Sequence, residues 1–139
     1  MIRALYAVAR IALAVVFIRS GYEVVRAPAK AAATAGPLLG TLRTQVPAAL
    51  PLPEDEQWVR ANAAAQVAGG VLLATGIAPQ LAAGILMGSL VPTTVAGHSF
   101  WKHEDPAQRF NQRNHFNKNI GLFGGLLLVV LTGGKAGRK

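Results

Sequence analysis

Nine side chains that could bind a ligand or a proton interrupt otherwise apolar segments of this sequence. They are Arg10, Arg19, Glu23, Asn62, Gln66, His98, Trp101, Lys118 and Asn119. An ionisable group near the middle of a bilayer costs about 2.5–3.5 kcal/mol on insertion scales, so such residues usually face other helices and pair. Arg19 and Glu23 are four residues apart and would pair along one helix face. The set therefore predicts either a polar binding pocket or a network of paired side chains.

The sequence offers little for metal, haem or nucleophilic chemistry. Its three histidines, His98, His103 and His115, do not repeat on matching helices, as two axial haem ligands would. A zinc site would need a further ligand and a fixed geometry. The absence of cysteine excludes disulfides, iron–sulfur clusters and a thiol relay within this chain. There is also no Gly-rich phosphate loop and no Ser–His–Asp arrangement, so we expect no metal site and no catalytic residue.

The elements that must position these nine residues are long apolar segments. Hydrophobic residues make up 52% of the 139 residues and charged residues 14%, against about 25% charged in soluble domains. Since about 20 apolar residues cross a bilayer, we predict one all-α domain, 1–139, that is an integral membrane four-helix bundle. The predicted spans are 2–25, 58–77, 80–100 and 115–131. A buried soluble bundle and a cleaved signal peptide at the N-terminus are the less favoured alternatives.

Two connectors separate these spans, and small residues suggest how the spans pack. Residues 27–57 contain five prolines, which argue against one long helix there, and we expect this segment to lie at the interface or fold back on the bundle. Residues 101–114 form the second connector, and a basic tail ends the chain. Small residues four apart predict close helix packing at Ala65 and Gly69, Gly84 and Gly88, and Gly121 and Gly125. Pro92 predicts a kink in span three, with Thr93 and Thr94 satisfying freed backbone groups.

Most of the polar residues fall at one end of the predicted bundle. In a four-span topology, the ends of spans one and three lie beside the starts of spans two and four, and both connectors leave from this end. All nine residues except Arg10 belong to it, which predicts a water-accessible polar pocket with Glu23 as the counter-charge. The alternative is that Arg19 and Lys118 extend to lipid headgroups and Trp101 anchors at the interface. Arg10 is farther inside span one, so we expect it to have a partner within the bundle.

The net charge of +8 indicates a membrane surface rather than nucleic acid. No basic run is interleaved with aromatic residues, whereas Lys and Arg flank the spans, where they meet anionic headgroups. The connector face carries six basic residues outside the spans and the other face four. These are Arg26, Lys30, Arg43, Lys102, Arg109 and Arg113 against Arg3, Lys135, Arg138 and Lys139. The positive-inside rule then favours cytoplasmic connectors.

The segment "HSFWKHEDPAQRFNQRNHFNKNIGLFGGLLLVV" resembles the DoxX family of small four-helix bacterial membrane proteins. That family shows His-x-Phe-Trp at the end of the third helix, here His98, Phe100 and Trp101, followed by Asp-Pro, here Asp105 and Pro106. A Lys-Asn-apolar-x-x-x-Gly-Gly-Leu-Leu run opens the fourth helix, and the sequence has it at residues 118–127. "FIRSGYEVV" in the first span is similar to the family's segment with Gly21. The similarity covers most of the chain and is weakest in the proline-rich connector.

The resemblance implies a multi-pass protein of the cell membrane, surrounded by lipid bilayer. Members in actinobacteria, whose composition this sequence fits, look like assembly points for oxidative-stress enzymes, including a superoxide dismutase and a thiosulfate sulfurtransferase. We therefore expect a non-catalytic subunit or scaffold for redox enzymes, with no cofactor of its own and with a homo-oligomer as a further option. The alternatives are a quinone- or small-substrate-binding subunit of an oxidoreductase, such as a thiosulfate:quinone oxidoreductase, and a small transporter.

Overall fold

The computed structural model describes residues 1–47 and 50–133, and the regular structure in these two ranges is entirely helical. The helices are α1 (Ile2–Arg26), α2 (Ala29–Thr44), α3 (Asp55–Thr75), α4 (Pro79–Gly97) and α5 (Pro106–Thr132), with a 3₁₀ turn at Phe100–Lys102. The predicted all-α class is confirmed. The helix count differs from the prediction, because α2 is a fifth helix. The basic tail lies outside the described residues.

Neighbouring long helices run antiparallel. Along the α1–α3 pair, Gly21 lies beside Ala63, whereas Ala14 lies beside Gly70. Along the α4–α5 pair, His98 contacts Gln112 at one end, and Gln80 bonds the Val130 carbonyl at the other. The C-terminal ends of α1 and α4 and the N-terminal ends of α3 and α5 therefore lie together. We call this the connector end.

The buried core is small, and much of the apolar surface faces outward. The buried cluster comprises Ala14, Phe17, Leu73, Ala82, Ala83, Leu86, Leu90 and Leu126. Large apolar side chains such as Leu5, Val8, Leu81, Val91 and Leu128 are exposed on three different helices. Soluble monomers rarely expose wide contiguous apolar surface. In the described part of the chain, one helical segment, Pro79–Lys102, is long and apolar enough to cross a membrane by length and composition.

Of the predicted glycines, Gly69 and Gly125 do pack on a neighbouring helix, because an added Cβ would lie 3.0 Å from Leu86 and 3.1 Å from Leu13. The tightest contacts, however, are at two glycines that the spacing did not single out. A Cβ added at Gly21 would lie 2.6 Å from the Ala63 carbonyl oxygen, and one at Gly70 would lie 3.2 Å from the Ala14 carbonyl oxygen. Gly84, Gly88 and Gly121, in contrast, have nothing within 4 Å of such an atom. The prediction that these three glycines pack against a neighbouring helix is wrong. Spacing of four identifies a shared face, but it does not say whether that face meets protein or lipid.

The first connector is largely helical and folds back on the bundle, as one of the two predictions for it stated. Helix α2 includes Pro37 and contacts α3 and α4. Near its C-terminal end, Arg43 forms an ion pair with Asp55, with 2.6 Å between Nη1 and Oδ1. Arg43 also donates through Nη2 to the Pro53 carbonyl at 2.9 Å. These two contacts tie α2 to the start of α3.

The second connector is shorter than predicted, because α5 begins at Pro106 rather than His115. The Asp105 side chain accepts a hydrogen bond from the Gln108 backbone N–H at 2.9 Å. Aspartate at the N-cap followed by proline at the first helical position is a strong helix-start signal. The polar composition of residues 106–114 hid this start from an argument based on apolar segments alone.

Helix α4 continues through Pro92. The hydroxyls of Thr93 and Thr94 bond the carbonyls of Ser89 and Leu90, at 2.8 and 2.7 Å. Proline removes the backbone donor that would bond the Gly88 carbonyl. The two threonine hydroxyls bond the next two carbonyls, those of Ser89 and Leu90, rather than the Gly88 carbonyl itself. The kink itself stays a prediction.

Candidate functional site

A buried amide network joins α3 to α4. Gln66 is 4% exposed, and its Nε2 donates to Ser89 Oγ at 2.9 Å and to Thr93 Oγ1 at 3.4 Å. Asn62, one turn earlier on α3, donates through Nδ2 to the same Thr93 oxygen at 3.2 Å. Because the Thr93 hydroxyl gives its own proton to a backbone carbonyl, it acts as an acceptor for both amides. The network fixes the register of α3 against α4.

A second buried amide joins α4 to α5. Asn119 is 7% exposed, and its Nδ2 donates to Thr94 Oγ1 at 2.9 Å. The sequence predicted polar groups at Gln66 and Asn119, and the structure buries both. It gives them separate partners on α4, since Thr93 and Thr94 project from successive positions.

Two histidines stack at the connector end. The rings of His98 and His115 have centroids 5.0 Å apart and planes 14° from parallel. His98 Nδ1 lies 2.8 Å from Gln112 Oε1, so Nδ1 carries the proton when that carbonyl oxygen accepts. Imidazole lone pairs lie in the ring plane, so two rings stacked face to face do not point at one shared iron. No group of three or more potential ligands occurs among the described residues.

Three aromatic rings adjoin this stack. Phe100 and Phe116 meet edge to face at 5.4 Å, and Trp101 contacts both, at 5.1 and 5.9 Å. Trp101 is 50% exposed. The cluster holds the 3₁₀ turn against α5 and leaves one tryptophan face at the surface.

The predicted charged residues lie apart from the buried amides. Arg19 and Glu23 form the predicted ion pair, at 3.3 Å between Nε and Oε1, but their side chains are 82% and 65% exposed. Lys118 is exposed as well. The structure thus brings together Asn62 with Gln66 through Thr93. It leaves Arg19, Glu23 and Lys118 on the surface.

Arg10 lies at the opposite end of the molecule, beside the α3–α4 turn. Its Nη2 would be 2.9 Å from a Cβ added at Gly76, the left-handed residue that ends α3. A cation is favoured near a helix C-terminus. The expectation of a partner within the bundle stays a prediction, and the buried Nε has no hydrogen-bond partner among the described residues.

A groove of about 170 Å³ lies between α4 and α5, one to two turns from the connector end. Asn119 and Thr94 contribute its polar groups, and Phe116 and Phe123 are among its apolar lining residues. The groove was not predicted from the sequence. Of its lining residues, Asn119 was predicted as a pocket residue and Thr94 only as a partner for freed backbone groups. The available signal was the helical spacing of Phe116, Asn119 and Phe123, which places them on one face of α5.

Comparison with known proteins identifies a family for most of the chain. A family model described as DoxX matches residues 5–99. No curated protein and no solved structure gives a significant match. The matched range runs from the first turn of α1 to just past α4, so Trp101 and all of α5 lie beyond it.

Proposed function

The chain belongs to the DoxX family, and from this premise we propose that it is a non-catalytic membrane subunit that recruits redox and oxidative-stress enzymes to the cell membrane. Membership in this family makes it a membrane protein. The segment Pro79–Lys102 is apolar and long enough to cross the bilayer. The finer proposal is that α1, α3 and α5 cross as well, with α2 at the connector end.

The inner polar groups support a structural rather than a catalytic role. Gln66 and Asn62 bond the side chains of α4, and Asn119 bonds Thr94. In lipid, where no hydrophobic force drives helices together, such interhelical hydrogen bonds help to hold a bundle. These amides therefore have a sufficient explanation in helix packing.

The observation that carries the proposal is the protruding start of α5. Because His98, just past the end of α4, contacts Gln112, the two turns of α5 before Gln112 extend beyond α4. They expose Phe110 at 57%, with the Arg113 guanidinium 5.8 Å from its ring centre. Exposed aromatic and arginine side chains are the residues enriched at protein interfaces. This surface is suited to hold a soluble partner at the membrane.

Recruitment is tested with purified components in lipid nanodiscs. The wild-type protein should bind the superoxide dismutase or the thiosulfate sulfurtransferase of the same organism in biolayer interferometry, and the double variant Phe110→Ser with Arg113→Ser should lose at least tenfold in affinity. Trp58→Ser is the matched control, since Trp58 is an exposed aromatic residue at the connector end of α3. Signal no greater than that of empty nanodiscs for both enzymes would refute the proposal.

A second candidate function is favoured by the groove between α4 and α5. It is a quinone- or small-substrate-binding subunit of an oxidoreductase, such as a thiosulfate:quinone oxidoreductase. Small-molecule sites are mostly apolar clefts with a few polar groups, of about 300–1,000 Å³; this groove has the apolar lining and a smaller volume. Organic extraction of the purified protein, followed by mass spectrometry, should recover stoichiometric quinone if this function is correct. Extracts with only phospholipid would count against it.

A further inference from the structure

The groove between α4 and α5 has a hydrogen-bonding group at its base that is only partly used. Asn119 has one recorded hydrogen bond among the described residues, from Nδ2 to Thr94 Oγ1. The Thr94 hydroxyl gives its proton to the Leu90 carbonyl at 2.7 Å, so it can only accept from Asn119. This fixes the orientation of the amide, with the NH₂ group toward Thr94. The Asn119 carbonyl oxygen has no recorded partner among the described residues, and because the lining is almost entirely apolar, a ligand would reach it only at the base of the groove.

The walls of the groove suit a flat ring. Phe116 and Phe123 lie seven residues apart on the same face of α5, with Asn119 between them, and Val91 and Val95 form part of the opposite wall on α4. Phe116 is held in place by its contacts with Phe100 and Trp101. A cavity of about 150 Å³ lined by apolar side chains accommodates benzene. The observed 170 Å³ therefore holds one aromatic ring, and its open side allows a second.

The groove faces the lipid rather than the aqueous connectors. Its rim residues Val91, Val95 and Ile120 are all exposed apolar side chains, and those of α4 belong to the segment that can cross the membrane. A ligand would therefore enter from the bilayer.

We propose that this groove binds an apolar ring compound that carries one hydroxyl group. The ring lies between Phe116 and Phe123, where edge or offset contacts with aromatic neighbours are favourable. The hydroxyl donates to Asn119 Oδ1. A plain acyl chain fits the groove less well, because it would cover the amide oxygen and leave it without a partner, and that is costly in an apolar site.

The inference is independent of enzyme recruitment by α5, and it rests on the second candidate function, for which it names a hydroxyl-bearing ring as the ligand class; a reduced quinol has such a hydroxyl, whereas an oxidised quinone does not. The two can fail separately. Quinone extraction tests the natural ligand, whereas the binding test below uses defined probes and asks only whether the groove accepts a ring and recognises its hydroxyl.

The test compares 2-naphthol, 2-methoxynaphthalene and naphthalene by equilibrium dialysis against the protein in detergent. The first can donate a hydrogen bond, the second can only accept one, and the third can do neither. Val95→Phe fills the groove, so the difference between wild type and Val95→Phe isolates binding at this site from partition into the detergent. We expect 2-naphthol to bind the site about 2–10-fold more tightly than 2-methoxynaphthalene, the range that one hydrogen bond provides.

Asn119→Leu should reduce 2-naphthol affinity to that of 2-methoxynaphthalene while preserving the binding of naphthalene. Val71→Phe, an equal enlargement at an exposed position of α3 outside the groove, should bind all three probes like wild type. Equal binding to wild type and Val95→Phe would overturn the site. Equal site affinity for 2-naphthol and 2-methoxynaphthalene would overturn the hydroxyl preference. If Asn119→Leu does not fold, the probe series on wild type and Val95→Phe decides both points.

Discussion

At the scale of single residues, the buried amides and the exposed charges have different energetic weights. Arg19 and Glu23 are an exposed pair, and such pairs contribute about 0–1 kcal/mol. Gln66 is buried and donates to two hydroxyls on another helix. Interhelical bonds of this kind contribute about 0.6 kcal/mol on average and up to about 1.7 kcal/mol. The amides, not the ion pair, are expected to stabilise the polar centre of the bundle.

The first prediction concerns Gln66. Gln66→Ala should lower the free energy of unfolding by about 1–3 kcal/mol, because it removes both hydrogen bonds and leaves the buried Ser89 hydroxyl without its donor. Thermal unfolding in detergent, followed by circular dichroism, measures the change. Gln108→Ala is the control, since Gln108 is exposed in the first turn of α5 and should change stability by less than about 0.5 kcal/mol. If Gln66→Ala lowered the free energy of unfolding no more than Gln108→Ala, the amide network would not contribute to stability.

At the scale of helices, backbone approach decides which pairs pack closely. Gly21 and Gly70 let α1 and α3 approach closely along their length. Helix α3 packs on α4 at Gly69, where an added Cβ would lie 3.0 Å from the Leu86 side chain. Gly84 and Gly88 instead face outward from α4. Both glycines are exposed, and an added Cβ at either would contact no other residue.

The second prediction compares two glycines. Gly21→Ala should destabilise the protein by about 1–3 kcal/mol, because the added methyl meets the Ala63 carbonyl oxygen at 2.6 Å, and helix backbone cannot rotate away. Gly84→Ala meets nothing within 4 Å and should be neutral or stabilise by up to about 1 kcal/mol, since alanine has the higher helix propensity. Chemical unfolding in mixed micelles measures both. A larger loss for Gly84→Ala than for Gly21→Ala would contradict the packing described above.

The third prediction concerns the attachment of α2. Arg43→Ala removes the ion pair with Asp55 and the bond to the Pro53 carbonyl, so α2 should separate from the bundle more often. The natural chain has no cysteine, and a single cysteine at the buried position Ala32 reports each opening by its labelling rate. About 1 kcal/mol for the pair corresponds to roughly a fivefold faster rate.

Lys30→Ala provides the control for that experiment. Lys30 is an exposed cation on the same helix, so its loss changes the charge of α2 without removing a contact to α3. With Lys30→Ala added, the cysteine at position 32 should be labelled at the same rate as in the variant that carries that cysteine alone. Equal acceleration by both substitutions would mean that net charge, rather than the contacts of Arg43, holds α2 in place.

At the scale of the whole molecule, the helical class and the grouping of helix ends could be predicted from the apolar segments and the short α3–α4 turn. The existence of α2 could not, because Pro37 opposes a helix locally, and only the folded structure shows that α2 packs against α3 and α4, with Arg43 paired to Asp55. That Gln66 and Asn119 face other helices was one of the two alternatives that the sequence left open, the other being a water-accessible pocket. Their partners could not be predicted, since Thr93 and Thr94 are adjacent in sequence and only the packing of α4 decides which helix each one meets.

Helix length is compatible with four crossings. At 1.5 Å per residue, α1, α3 and α5 are about 30–40 Å long, whereas the apolar layer of a bilayer is about 30 Å thick. All three helices carry polar and charged residues within their length, and in the described part of the chain the segment of α4 is the one that is long and apolar enough to cross by length and composition. The amides of α3 and α5 that contribute to this polarity are the ones that bond α4, so their cost in lipid is offset by interhelical hydrogen bonds.

The fourth prediction is therefore that α1, α3, α4 and α5 all cross the bilayer. Single cysteines at Ile2, Ile77 and Thr132 should react with a membrane-impermeant thiol reagent from one side of sealed vesicles, and cysteines at Glu54 and Glu104 only from the other. Each helix is tested by a pair that brackets it, because Ile77 and Glu104 enclose α4, and Glu54 and Ile77 enclose α3. A cysteine at Gly88, exposed in the middle of α4, should stay unlabelled from both sides because lipid covers it. The prediction fails for α3 if cysteines at Glu54 and Ile77 react from the same side while those at Ile77 and Glu104 react from opposite sides. In that case α4 crosses the bilayer and α3 lies on its surface.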